Sequence, residues 1–299
     1  MASIKRTNIA KAIIITEFTG RVIPRRKFPD SSPIGSAIIY YRLLQYIIRG
    51  LDSMELSFFP KDFNFQKIFS SGLFYFFYEK EPVRVVYFQG RLLTLSFSQN
   101  KSRLIVKIKG EPKDLGLLSE RIEQCLGLNE NLHGFYTLCK KDPVLNLHLE
   151  KIRGSRIISA FSGFEALVGA IVSQNNSYMN YRKKMLEIYQ SLNFLPKNFT
   201  QESLKDMKLG YKVPFLVALA DDFGKKEPRG IKGIGPYSLQ LFEIFQKRNY
   251  SAFYMDCLTE KIMREQYGIT SGFEKASLEL WGKWRGLAEA YLQRFFEVK

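Results

Sequence analysis

Apolar and polar positions alternate along the first third of the chain and recur at helical spacing along the rest. In "VRVVYFQGRLLTLSF" (83–97) a β-branched run reaches the turn dipeptide Gln89-Gly90. After it Leu93, Leu95 and Phe97 alternate with Thr94 and Ser96. "SRLIVKIKG" (102–110) continues the pattern, with Leu104, Val106 and Ile108 set against Lys107 and Lys109. These spacings predict short antiparallel strands with one face in water. The polar clusters "SFSQNKS" and "KGEPKD" read as turns, and the second is expected to end the domain.

Beyond residue 112 the period lengthens. "FSGFEALVGAIVSQ" (161–174) places Phe164, Leu167, Val168, Ile171 and Val172 on one helical stripe. Ser162 is positioned to cap that helix, with Glu165 completing a capping box. "YRKKMLEIYQSL", "GPYSLQLFEIFQKR", "CLTEKIMREQYG" and "KASLELWGKWRGLAEAYLQRFF" predict further helices. The expected fold class is therefore α+β: an N-terminal antiparallel β-sheet domain over 1–112, then an all-α domain over 113–299.

Composition narrows the partners. The 299 residues carry 45 Lys plus Arg against 29 Asp plus Glu, a net charge of +16. An excess of this size draws polyanions, nucleic acid first and an anionic membrane surface second. The three cysteines, Cys125, Cys139 and Cys257, form neither a disulfide framework nor a metal knuckle, which suits a reducing, intracellular compartment. The apolar core of "MASIKRTNIAKAIIITEF" is too short for a signal sequence. The run "SAIIYYRLLQYIIRG" (36–50) is interrupted by Arg42, Gln45 and Arg49, so it reads as a buried helix and not as a membrane span. His133 and His148 lack metal-ligand spacing and read as structural.

Two short stretches carry candidate chemistry. In "IKGIGPYSLQ" (231–240) Gly233 and Gly235 permit a sharp turn and close approach by a ligand, while Pro236 suits the first position of a helix. The start of that helix, beside Arg229 and Lys232, would favour an anion; an ordinary helix-to-helix turn fits the same residues. In "SAFYMDCLTEKI" (251–262) Asp256 follows an apolar run and precedes a helix, as a helix cap would and as a catalytic carboxylate would.

Taken together, hairpin, helix and carboxylate resemble the helix-hairpin-helix DNA glycosylases. "FNFQKIFSSGLFYFF", "FYTLCKKDPVLNLHLEKIRGSRIISAFSGFEALVGAIVSQNNS" and "WGKWRGLAEAYLQRFF" look like successive segments of the 3-methyladenine DNA glycosylase II branch. The resemblance spans residues 60 to 299 and leaves 1–58 unaccounted for. It implies an enzyme of base excision repair that binds double-stranded DNA as a monomer, flips a damaged base out of the duplex and hydrolyses its N-glycosidic bond.

The resemblance carries over residue by residue. Asp256 takes the place of the catalytic carboxylate. The hairpin at 231–236, with Lys232, Gly233, Ile234 and Gly235, grips the DNA backbone. Tyr237 stands where bifunctional members have a lysine, so no lysine-dependent lyase activity is expected, and its ring would stack on an alkylated purine; simple packing on the helix is the alternative for this residue. Gln174, Asn175 and Asn176 fall where the family carries its DNA-inserting wedge. The Asn pair departs from the alkylated-base branch and looks more like the 8-oxoguanine branch, as does "LGYK" (209–212), which would set Lys212 against the orphan base. The same fold acting on 8-oxoguanine or a deaminated purine is therefore a second reading, and a non-catalytic DNA-binding module a third. With only Cys257 after Asp256, no iron–sulfur cluster and no other metal cofactor is expected. The family's hairpin carbonyls can hold a monovalent cation, which would place one around Ile231 to Ile234. The expected localisation is cytoplasm or nucleoid, or the nucleus in a eukaryote.

Overall fold

The computed structural model describes residues 53–71 and 77–296. The apolar runs near the N-terminus and at 36–50 lie outside the described residues. Four strands, β1 (Ser53–Phe58), β2 (Val83–Phe88), β3 (Arg91–Asn100) and β4 (Arg103–Lys109), form one antiparallel sheet in the order β1-β4-β3-β2. Helix α1 (Phe65–Ser71) follows β1 in the chain. β2 and β3 join through Gln89 and Gly90, both at positive φ (48° and 83°), the tight hairpin that suits the twist of paired strands. β1 was not among the expected elements. Its register sets Met54, Leu56 and Phe58 opposite Ile108, Val106 and Leu104, which extends the apolar face already carried by β4.

Besides two four-residue helical turns, Leu149–Ile152 and Gln201–Leu204, the further helices are α2 (Leu115–Leu126), α3 (His133–Lys141), α4 (Gly163–Ser173), α5 (Tyr178–Leu192), α6 (Val213–Asp222), α7 (Pro236–Leu241), α8 (Cys257–Tyr267), α9 (Phe273–Trp281) and α10 (Arg285–Phe296). A π-helical segment, Phe242–Gln246, continues α7. The single long helix expected over 275–296 breaks at Gly282 into α9 and α10. Among the described residues no helix is long and apolar enough to cross a membrane.

The expected boundary at 112 does not separate two cores. Leu118, Ile122, Cys125 and Leu126 of α2 pack into one cluster with Leu93, Leu95, Val106 and Ile108 of the sheet. The sheet needs a helix to bury its apolar face, and α2, just past the boundary, supplies it.

The expected wet face also fails at the β2 edge. Val85 and Thr94, paired on the opposite face, are both buried, and the Val85 N–H donates to the Tyr189 hydroxyl at 2.8 Å. Arg84, 2% exposed, donates to Glu165 across 2.8 Å. The Arg84 guanidinium lies 4.7 Å and 4.5 Å from the ring centres of Tyr78 and Tyr189. Glu165 also accepts from the Tyr78 hydroxyl at 2.6 Å and from the Phe161 N–H at 3.2 Å. This corrects the capping box: the Ser162 hydroxyl does accept the Glu165 N–H at 3.1 Å, but the Glu165 carboxylate is drawn to Arg84. Burial raises the pKa of Glu165 and Arg84 opposes that shift. The pair ties the β2 edge to the start of α4. That helix is buried from Phe164 to Val172, on all sides and not along one stripe, because α5, α6 and α7 pack around it. A helix so enclosed gives its C-terminal end a fixed position.

Candidate active site

The end of α4 meets the hairpin. Gln174 donates through its side-chain amide to the Gly233 carbonyl and to the Ser238 hydroxyl, each at 3.0 Å. The turn is closed by the Ile234 N–H donating to the Ile231 carbonyl at 3.1 Å. Ile231 and Ile234 are buried anchors, while Lys232, Gly235 and Pro236 face outward. Gly233 has φ +91°, and a Cβ there would lie 2.5 Å from the Phe215 side chain, so both backbone conformation and space demand glycine. Of the expected hairpin contacts, Ile234 has only its backbone to offer, since its side chain is part of the core.

Asp256 is the N-cap of α8. Its Oδ1 accepts the Thr259 N–H at 2.8 Å, and the Gln293 amide nitrogen lies 3.1 Å and 3.0 Å from its two oxygens. The loop that carries it is strung between two helices. Gly286 at the start of α10 donates to the Tyr250 carbonyl at 2.9 Å, and Arg285 Nε to the Ser251 carbonyl at 2.7 Å. A Cβ on Gly286 would lie 2.5 Å from the Ala252 carbonyl oxygen, so α10 can approach this closely only through a glycine. On the other side the Phe253 N–H donates to Gln240 of α7 at 3.3 Å.

Tyr237 stands in the same site. Its ring meets that of Tyr254 edge-on, with centres 5.4 Å apart. Burial, and secondly the charge of Asp256, push the Tyr237 hydroxyl up to about 12, with the Ser173 hydroxyl acting the other way. Beneath Asp256 lies Glu289, 1% exposed, whose pKa burial raises well above the usual carboxylate range; Asp256 adds to the shift. The hairpin, Tyr237 and Asp256 are thus brought together, around a carboxylate that is half-buried and held by N–H donors.

The expected wedge residues take different places. Asn175 is the exposed tip, in the left-handed conformation (φ 50°) that asparagine tolerates, and its side chain donates to the Tyr211 hydroxyl at 3.0 Å. Gln174 turns inward to the hairpin. Asn176 donates to the Val172 carbonyl at 2.8 Å and closes the helix end. Lys212 points inward. It is 5% exposed, with its ammonium 2.9 Å from the Val172 carbonyl, so it caps α4 and offers no charge at the surface. An orphaned helix-end carbonyl next to a lysine explains the burial.

Tyr211 (51% exposed) and Met179 (81% exposed) are outward-facing residues that the sequence reading passed over. So were Gln293 and Glu289, whose signal was two polar side chains four positions apart on a buried helix face, "EAYLQ".

No family model and no curated protein matches the chain. Solved structures do. The 3-methyladenine DNA glycosylase from Archaeoglobus fulgidus is 17% identical with a TM-score of 0.67, over 82% of this chain and 100% of that one. The Clostridium acetobutylicum 8-oxoguanine glycosylase/lyase, bound to double-stranded DNA with cytosine opposite 8-oxoguanine, is 17% identical with a TM-score of 0.62, over 83% and 98%. MBOgg1 in complex with a low-affinity DNA ligand is 18% identical with a TM-score of 0.64, over 81% and 94%. At these identities the likeness establishes the fold: a four-stranded antiparallel sheet followed by helices, the α+β architecture shared by helix-hairpin-helix DNA glycosylases of both kinds.

Proposed function

We propose that the protein is a monofunctional DNA glycosylase of base excision repair, acting on a damaged and specifically an alkylated purine, with Asp256 as its catalytic carboxylate. The observation that carries this reading is the placement of Tyr237 beside Asp256 at the foot of the hairpin. A phenol cannot form a Schiff base, so the chemistry at this position is hydrolysis without strand cleavage.

The steps follow from the residues. Lys232, the hairpin backbone and the net charge of +16 hold duplex DNA, and Asn175 with Tyr211 occupies the space vacated by the flipped nucleotide. The C1′–N bond breaks with its electron pair leaving on the base. The Asp256 carboxylate stabilises the cationic sugar, and water then adds to C1′ and gives up a proton toward that carboxylate. An N-alkylated purine is already cationic and departs neutral, so it needs no acid to protonate it. A carboxylate and the Tyr237 ring are both partners for such a cation. No metal or organic cofactor is called for by these steps.

A second reading, an oxidised or deaminated purine as substrate, is favoured by the polar contact between Asn175 and Tyr211, which suits an orphan base better than an apolar wedge would. The test is base release from duplexes carrying N-methylated adenine, hypoxanthine or 8-oxoguanine, with wild type beside Asp256→Asn. Release of the methylated base by wild type alone is expected. Release of 8-oxoguanine in preference selects the second reading, and duplex binding with no release by either protein leaves a DNA-binding module. Borohydride trapping of a covalent adduct would overturn the monofunctional mechanism.

A further inference from the structure

Four side chains behind Asp256 make a connected set of hydrogen bonds. The Gln293 amide nitrogen donates to Asp256 at 3.0 Å and 3.1 Å and to the Thr259 hydroxyl oxygen at 2.7 Å. The Thr259 hydroxyl in turn donates to Glu289 at 2.8 Å, and the Tyr254 hydroxyl donates to the Gln293 carbonyl oxygen at 2.7 Å. The reverse orientation of the Gln293 amide would set its carbonyl oxygen against a carboxylate, so the network fixes which end faces Asp256. Thr259, Glu289 and Tyr254 are all buried, which leaves the Gln293 amide little freedom to turn.

We propose that Gln293 is a positioning residue that holds the Asp256 carboxylate in its reactive orientation, with Thr259, Glu289 and Tyr254 fixing the Gln293 amide in turn; this rests on the reading of Asp256 as the catalytic carboxylate. Oδ1 is already committed to the Thr259 N–H at the start of α8. Among the described residues Oδ2 accepts from Gln293 alone, so Oδ2 is the oxygen with capacity left for a sugar cation or a water. Without Gln293 one backbone contact would remain, and the carboxylate could swing about it. Glu289, whose pKa burial raises, completes the support by accepting the Thr259 hydroxyl.

The test uses the full chain and a duplex carrying N-methylated adenine under single-turnover conditions, with duplex affinity measured separately. Gln293→Met keeps the length and removes the donor. Its base-release rate should fall about 10- to 100-fold with duplex Kd unchanged, as expected for a misplaced catalytic group. In the Asp256→Asn background the same change should cost nothing further. Gln293→Glu sets a second carboxylate beside Asp256, so its rate should vary with pH where the wild-type rate is flat. Wild-type rates in Gln293→Met, with Asp256→Asn inactive, would sink the positioning role alone. Equal rates in Asp256→Asn and wild type would sink the catalytic assignment instead. Independently of activity, the Gln293 side-chain amide resonances should move in Asp256→Ala, and unmoved resonances would overturn the contact.

Discussion

The side-chain amide of Gln174 bridges 3.0 Å to the carbonyl of Gly233 and ties the end of α4 to the hairpin. Replacing Gln174 by leucine strands that carbonyl and the Ser238 hydroxyl, a loss of about 1–3 kcal/mol for partly buried groups. The melting temperature should drop and duplex binding should weaken with it. Asn175→Gly, which keeps the left-handed backbone at the exposed tip, should leave the stability within about 0.5 kcal/mol of wild type and lower base release. Thermal melts beside a base-release assay separate the two, and a strongly destabilised Asn175→Gly would refute its placement at the exposed tip.

Gly233→Ala tests the hairpin itself. The left-handed φ and the 2.5 Å approach to Phe215 cannot both be kept. The strain alone is about 1–3 kcal/mol. On the proposed role, in which the hairpin would hold the DNA backbone and not the base, duplex affinity should fall for damaged and undamaged DNA alike. An effect confined to damaged duplexes would contradict that role.

Much of this was legible in advance, for identifiable reasons. β3 and β4 announce themselves because one face is apolar and the other polar over most of their length, β2 by its β-branched run, and Gln89-Gly90 marks the turn between β2 and β3. Asp256 and Tyr237 are legible because hairpin, helix and carboxylate follow one another in the sequence. Lys212 and Gln174 are not. A lysine in "LGYK" carries no sign that a helix-end carbonyl will claim it, and a glutamine before two asparagines carries no sign that it alone turns inward. Gln293 and Asp256 are joined only by the packing of α10 against the Asp256 loop, a contact that no local pattern records. The Arg84–Glu165 pair was hidden in the same way, since strand alternation places Arg84 on the face of Val86 without naming its partner.

That pair gives a stability prediction. Arg84→Met leaves Glu165 buried without its cation, which costs about 3–5 kcal/mol when one member of a buried pair is removed. The double change Arg84→Met with Glu165→Gln should recover most of the loss. Chemical denaturation of the three variants checks it. An additive double variant would mean that the two charges do not act as a unit.

Glu289 gives a pH dependence whose sign can be worked out. Its folded pKa lies well above the unfolded carboxylate value of about 4.3, so the folded state holds a proton that the unfolded state has released. Its contribution is fully present below that unfolded value and is lost as pH rises toward the folded one. Wild type should therefore lose stability relative to Glu289→Gln as pH is raised from 4 upward, by at most about 1.4 kcal/mol per pH unit. Paired melts at several pH values provide the check, and a difference independent of pH would show that Glu289 is ionised when folded.

The two lysines of the site should behave oppositely toward salt. Lys232 is exposed on the hairpin, where the proposed phosphate contact would release a counterion on binding. Lys232→Ala should weaken duplex binding uniformly across sequences and reduce the slope of log K against log salt by about 1. Lys212 spends its charge on the Val172 carbonyl inside the protein. Lys212→Met should leave the salt slope unchanged and lower the melting temperature, because the carbonyl keeps only its bond from Asn176. Binding isotherms over a salt series distinguish the two residues. A reduced slope in Lys212→Met would mean that DNA binding draws the lysine out of its buried position, an opening that would break its cap on α4 and should then make the end of that helix exchange its amide protons faster in the complex than in the free protein.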